Sequence, residues 1–193
     1  MRSVAIATAF AALVVASPAL AANSGPYFGV GVTHDNVAAG GDLEGMGING
    51  LGGTAFAGYD IAVSEKAFIG IEANFELASA KVGDPDQRLE IDHAFGATAR
   101  LGYNVNDKTA LYGRVGYQRG RGTEVVEGQR FSTSLDGLRL GAGLETAVTD
   151  RVSLRAEYNH THYSFSDEVE ADLAPAKAGV NNNQFSIAVS YGF

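Results

Sequence analysis

The stretch Gln184-Phe-Ser-Ile-Ala-Val-Ser-Tyr-Gly-Phe193 decides the fold. Side chains alternate across a strand, so Phe185, Ile187, Val189, Tyr191 and Phe193 share one face, and Gln184, Ser186, Ala188, Ser190 and Gly192 share the other. One face suits lipid and the other a crowded or wet interior. A soluble sandwich strand alternates in the same way, so the choice rests on the rest of the chain.

At the other end, Met1-Arg2 gives a positive start, Val4 to Val15 is an unbroken run of apolar and small residues, and Ser17-Pro-Ala-Leu-Ala21 closes on an Ala-x-Ala site. The expectation is a signal peptide over residues 1–21 and a single domain over 22–193. A transmembrane helix would need roughly twenty residues to cross the hydrocarbon core, more than this run supplies. No apolar run after it reaches that length, so a membrane location requires a closed barrel, the other way to satisfy a backbone in lipid.

Composition narrows the function. Cysteine is absent, which excludes a disulfide framework and a cysteine-based lipid anchor. The net charge is −8, with no basic cluster to neutralise a row of phosphates, so nucleic acid is not an expected partner. Many of the 25 glycines fall inside the alternating stretches, where they mark bends, bulges or crowded interior positions.

A period of two marks eight strands, near 27–35, 51–61, 67–79, 92–104, 110–120, 135–147, 151–163 and 184–193. This predicts an all-β fold, a closed antiparallel eight-stranded transmembrane β-barrel. Its outward bands include Phe28, Val30 and Val32; Ile69, Ile71, Ala73, Phe75 and Leu77; Ala97, Ala99 and Leu101; and Leu138, Leu140 and Leu144, with no charge among them. Tyr59, Tyr103, Tyr191 and Phe193 would form an inner aromatic girdle. Connections near 62–66, 105–109 and 148–150 are short, whereas 36–50, 80–91, 121–134 and 164–183 read as long loops. Short periplasmic turns and long external loops are the signature of a membrane barrel.

The inward faces carry what the outward ones lack. Glu72, Arg100, Arg114, Glu145, Arg155 and Glu157 sit at interior parity, three acids against three bases, with Asp60 and Arg139 as further candidates. In lipid these charges are costly, and inside a narrow barrel they can pair. The alternative is a soluble barrel with the charges facing water, which predicts tight loops of similar length and no leader.

Ala57-Gly-Tyr-Asp60, Gly70-Ile-Glu-Ala73, Thr98-Ala-Arg-Leu-Gly-Tyr103, Leu111-Tyr-Gly-Arg-Val-Gly116, Gly143-Leu-Glu145 and Leu154-Arg-Ala-Glu-Tyr158, closing on Val189-Ser-Tyr-Gly-Phe193, resemble the eight-stranded opacity-type outer-membrane proteins. Their order and spacing are similar to the barrel half of outer membrane protein A. The resemblance implies a bacterial outer-membrane location and contact with outer-membrane lipid and lipopolysaccharide. It also implies an assembly signal at Tyr191 and Phe193 read by the barrel-assembly machinery, and an ionic plug or gate joining Glu72, Arg100, Glu145 and Arg155. The sequence departs from that family member in having no Trp and no periplasmic peptidoglycan-binding domain, so cell-wall tethering is not implied.

The histidines, one acidic run and two glycine-rich segments are the other candidates for chemistry. His160 and His162 flank Thr161, and His162-Tyr-Ser164 resembles the His and Ser of lipid A deacylases, although Phe165 stands where that family has Asn. His34 and His93 lack a partner at metal-ligand spacing, and Ser166-Asp-Glu-Val-Glu-Ala-Asp172 lacks the glycine of a calcium loop. The glycine-rich segments 25–31 and 47–53 are not followed by Lys-Ser or Lys-Thr. No cofactor, metal site or catalytic residue is therefore expected. The leading expectation is a non-enzymatic protein of membrane integrity and surface contact, with an extracellular ligand held through the loops. The alternatives are a narrow porin-like channel, or a lipid A hydrolase using His162 and Ser164.

Overall fold

A computed structural model describes residues 24–39, 47–78, 81–84, 87–126, 129–165 and 180–193. The expected leader and the acidic stretch 166–172 lie outside the described residues. The strands are β1 Gly25–Ala39, β2 Gly47–Ala62, β3 Ala67–Ala78, β4 Lys81–Asp84, β5 Gln87–Asn104, β6 Thr109–Val126, β7 Gln129–Ala147, β8 Val152–Phe165 and β9 Val180–Gly192. Eight of them close into a ring of antiparallel neighbours, with β3 pairing β5 on one side and β9 pairing β1 on the other. The short β4 is a hairpin arm on the outer end of β5.

The stagger follows from the register. A row of paired residues that leaves β3 at Phe68 runs through Gly102, Tyr112, Gly143, Glu157, Ser186, Thr33 and Gly52 and returns to β3 at Ala78, ten residues further along. Ten residues of about 3.3 Å each around eight strands about 4.8 Å apart tilt the strands by roughly 40°. Each residue then climbs about 2.5 Å along the barrel axis, so an apolar belt about 25 Å tall needs some ten residues of strand.

The outward bands are exposed or half-exposed throughout, Ile71 at 70% and Leu101 at 63%, while Arg139 is 1% and Gln118 0% exposed. That is the reverse of a water-soluble barrel. At the inner end, Phe28, Tyr191 and Phe193 meet with ring centroids 5.5–5.9 Å apart. The inner turns share one chemistry, Val63-Ser-Glu-Lys66, Val105-Asn-Asp-Lys108 and Val148-Thr-Asp-Arg151. In each, the second residue's side chain accepts a backbone N–H three residues on, at 2.9–3.0 Å, which fixes the turn without glycine.

The outer connections differ from the sequence reading. The segment 121–134, read as a loop, is strand up to Val126 and again from Gln129, and 80–91 contains β4 and the start of β5. Strand likewise extends into 36–50 and 164–183. Above the lipid both strand faces meet water, so the ladder continues on its backbone hydrogen bonds while the alternation that reveals strands in sequence disappears.

Candidate functional site

Inward-facing positions bring the ionisable residues into the lumen. Glu72 on β3 is the hub: it accepts from Arg155 Nη1 on β8 at 2.6 Å and from the Tyr27 hydroxyl on β1 at 3.0 Å. It is also paired with Arg114 on β6 at 2.9 Å and Arg100 on β5 at 3.8 Å. Glu145 accepts from Arg100 Nη2 at 2.9 Å and Arg155 Nε at 3.1 Å, and Glu157 accepts from Arg114 Nη1 at 2.6 Å and from the Tyr112 hydroxyl. The six residues named from sequence thus meet in one cluster, with Asp60 beside Arg100 Nε at 3.6 Å.

Aromatic rings complete the surroundings of the guanidiniums. Arg100 lies 4.1 Å from the Tyr112 ring centroid and Arg155 lies 4.5 Å from that of Phe56, close enough for a cation–π contribution in a desolvated lumen. These inward rings fit because each is paired directly with a glycine: Tyr27 with Gly58, Phe56 with Gly29, Phe68 with Gly102 and Tyr112 with Gly143. A Cβ at Gly102 would lie 2.1 Å from the Phe68 ring.

A second cluster lies nearer the outer end, and most of it was missed in sequence. Glu76 on β3 is paired with Arg139 on β7, which also donates from Nε to Thr161 at 2.9 Å. Asp35 on β1 takes neutral donors. It accepts from Asn182 Nδ2 at 2.8 Å, Gln184 Nε2 at 2.9 Å and the Thr33 hydroxyl at 3.1 Å. Inward parity was the available signal, but Glu76 and Arg139 meet across the lumen, a pairing that parity cannot match.

Among the described residues the lumen therefore buries six carboxylates, of Asp35, Asp60, Glu72, Glu76, Glu145 and Glu157, against four guanidiniums. The balance of three and three read from sequence gives way to an acidic excess. Between the clusters is a cavity of only about 10 Å³, lined by Glu72, Asn74, Glu76, Arg114 and Glu157. That is about the space a single water requires. Below them an inner vestibule of about 380 Å³ opens past Tyr27, Asp60 and Glu145.

His162 and Ser164 both face outward on β8, but the His162 Nδ1 is 2.8 Å from Asn181 Oδ1, and among the described residues no His–Ser hydrogen bond forms. His34 and His93 lie on other strands, and no group of three or more His, Cys, Asp or Glu side chains suited to a metal occurs among the described residues.

Residues 6–193 match the family described as outer membrane protein beta-barrel domain. The chain belongs to that family. It is 26% identical over 148 residues to the 22 kDa outer membrane protein of Rhizobium leguminosarum bv. viciae, covering 75% of this chain and 67% of that one. It is 26% identical over 178 residues to the 31 kDa outer-membrane immunogenic protein of Brucella melitensis, covering 82% and 72%. It matches outer membrane protein A of Klebsiella aerogenes at 26% identity over 74% of this chain but only 39% of that protein. Among solved structures, Neisserial surface protein A superposes with a TM-score of 0.65 at 19% identity, over 88% of this chain and 98% of the other. Ail, the attachment invasion locus protein of Yersinia pestis, gives 0.57 at 20% identity over 89% and 99%. The fold and the relatives place this family member in the bacterial outer membrane.

Proposed function

We infer that the barrel serves membrane integrity and surface contact, and that its lumen is closed by its own ion pairs. The observation that carries the plug is Glu72: from one strand it reaches arginines on three others and the tyrosine of a fourth, crossing the lumen. The small cavity above it supports the same reading. For surface contact, β6 and β7 rise roughly 20 Å above the outer edge of the apolar belt, walls on which external loops can meet a partner. Ail has been solved in complex with the heparin analogue sucrose octasulfate, a precedent for ligand binding on this fold. On this reading residues 1–21 are an export leader, Tyr191 and Phe193 an assembly signal for the barrel-assembly machinery, and the protein is not an enzyme.

Planar-bilayer recording of the refolded protein tests the plug. The wild type is expected to stay closed, and Glu72→Ala to admit water beside Arg155 and Arg114 and raise small-ion conductance. Steady open conductance in the wild type would replace the plug with a narrow channel, the second reading, for which the inner vestibule would be the entrance.

A further inference from the structure

The inner vestibule is acidic, and one of its carboxylates is poorly supplied with donors. Its walls carry Asp60, Glu145, Asp107 and Asp150 against Lys108 and Arg151, and Arg151 donates to the Tyr191 hydroxyl at 3.0 Å. Glu145 is well supplied, because Arg100, Arg155 and the Ser190 hydroxyl all donate to it. Asp107 and Asp150 stand on exposed turns, where water serves them. Asp60 differs from all three. It is 4% exposed, and its contact with Arg100 is long: Oδ1 and Nε are 3.6 Å apart, and among the described residues neither atom makes a hydrogen bond. Buried carboxylates are as a rule paired and hydrogen-bonded, so Asp60 has room for a cationic donor.

The start of the chain brings such a donor to the same place. Gly25, the first residue of β1, is paired directly with Asp60 on β2, and Ser24, Gly25 and Pro26 form part of the vestibule wall. Gly25 has φ +117°, a conformation that L side chains rarely adopt, and a Cβ there would meet nothing within 4 Å, so this glycine serves a bend at the mouth and not a close approach. Cleavage after Ala21 leaves Ala22 as the first residue, three before Gly25. Three residues span at most about 10 Å, and directly opposed residues of an antiparallel pair are about 4.5–5.5 Å apart at Cα. The new α-amino group is therefore held within reach of the Asp60 carboxylate. Before cleavage that nitrogen belongs to a neutral amide, and afterwards it is a cation at neutral pH.

We propose that the α-ammonium group created by removal of the leader docks on Asp60 in the inner vestibule and supplies a cation to the acidic lumen. The proposal rests on the reading of residues 1–21 as an export leader and adds the place of the new chain end. Charge complementarity favours it, because among the described residues the lumen buries six carboxylates against four guanidiniums. A tether of three residues also keeps this ammonium at an effective concentration beside Asp60 that free cations do not match. With Asp60 paired in this way, Arg100 is left to Glu145 at 2.9 Å and Glu72 at 3.8 Å. The ion-pair cluster is then completed only in the processed chain.

The test uses the exported protein purified from outer membranes in detergent. Its intact mass reports the cleavage site, and the acylation rate of the α-amino group at about pH 7, read by mass spectrometry on the N-terminal peptide, reports the surroundings of that group. The folded wild type is expected to react about tenfold more slowly than the same chain unfolded in urea, because a carboxylate partner holds the amine charged and unreactive. Asp60→Asn should restore the unfolded rate. If that variant does not show heat-modifiable gel mobility, a carbodiimide applied to the wild type takes its place and should join the α-amino nitrogen to Asp60. A folded wild type that reacts at the unfolded rate overturns the docking, as does protection that survives in a folded Asp60→Asn variant or, in its place, the lack of a carbodiimide product at Asp60. An intact mass that shows no cut, or a cut at another bond, overturns the leader reading and the docking with it, whereas a cut after Ala21 with a freely reacting amine overturns the docking alone.

Discussion

Arg139→Met should destabilise the barrel more than Glu72→Gln, although Glu72 has the larger set of ionic partners. When Glu72 loses its charge, every arginine around it keeps a carboxylate: Arg100 keeps Glu145 at 2.9 Å, Arg114 keeps Glu157 at 2.6 Å and Arg155 keeps Glu145 at 3.1 Å. The glutamine oxygen still accepts, so the loss is the difference between charged and neutral hydrogen bonds, about 1–3 kcal/mol. When Arg139 loses its charge, Glu76, 8% exposed, keeps among the described residues the amide donors of Asn74 and Gln184 at 3.1 Å and no guanidinium in ion-pair contact, and nearby Asp35 is held by amides. A stranded buried charge of this kind costs about 3–5 kcal/mol. With a urea dependence of about 2–3 kcal/mol/M, the two midpoints should differ by roughly 1 M, which heat-modifiable gel mobility in lipid vesicles can resolve. Equal midpoints, or a lower one for Glu72→Gln, would refute the argument that the partners left behind set the cost.

Other consequences can be checked separately. Ala99 faces lipid midway between the aromatic girdles, so Ala99→Arg should cost about 2–4 kcal/mol, whereas Thr98→Arg enters the lumen beside Arg114, and spin labels at Ala97 and Ala99 that report water would overturn this parity. A Cβ at Gly116 would lie 2.3 Å from the Ala97 carbonyl oxygen, so Gly116→Ala should cost about 1–3 kcal/mol by overpacking. Gly113→Ala, with its nearest neighbour 4.0 Å away on the lipid face, should be neutral or stabilising in the same unfolding assay. Deleting Phe193, which is 74% exposed and removes at most about 1.5–3 kcal/mol of burial in lipid, should lower outer-membrane yield while detergent refolding stays nearly intact. Equal loss in both assays would assign it to stability instead.

The barrel was legible where two solvents disagree. Between the girdles one face meets hydrocarbon and the other a polar lumen, so Phe185 to Phe193 and Ile69 to Leu77 declare both their period and their direction. Past the outer girdle that contrast ends, and Thr123-Glu-Val-Val126 opposite Gln129-Arg-Phe-Ser132 reads as loop although its backbone is fully paired. Within the lumen, parity identified Glu72, Arg100, Arg114, Glu145, Arg155 and Glu157. It could not match Arg139 to Glu76, 63 residues apart on strands that are not neighbours, because the pairing depends on the stagger. The inward rings were hidden for a related reason: Tyr112 and Phe68 are apolar residues at polar parity, made tolerable by glycines on other strands.

The closing junction of β1 with β9 presents a choice that lipid cannot make. A slip of one residue would turn every side chain to the wrong face and be rejected by the membrane, but a slip of two would return each side chain to its own face. Only the contents of the lumen distinguish that misclosure from the native one. It would shift Tyr27 relative to Arg155, whose guanidinium lies 4.7 Å from the tyrosine ring centroid, and draw Asp35 out of reach of one of its two amide donors, Asn182 or Gln184. The buried charges and amides therefore work as a combination lock on ring closure, accepting one alignment among several that the hydrocarbon would admit.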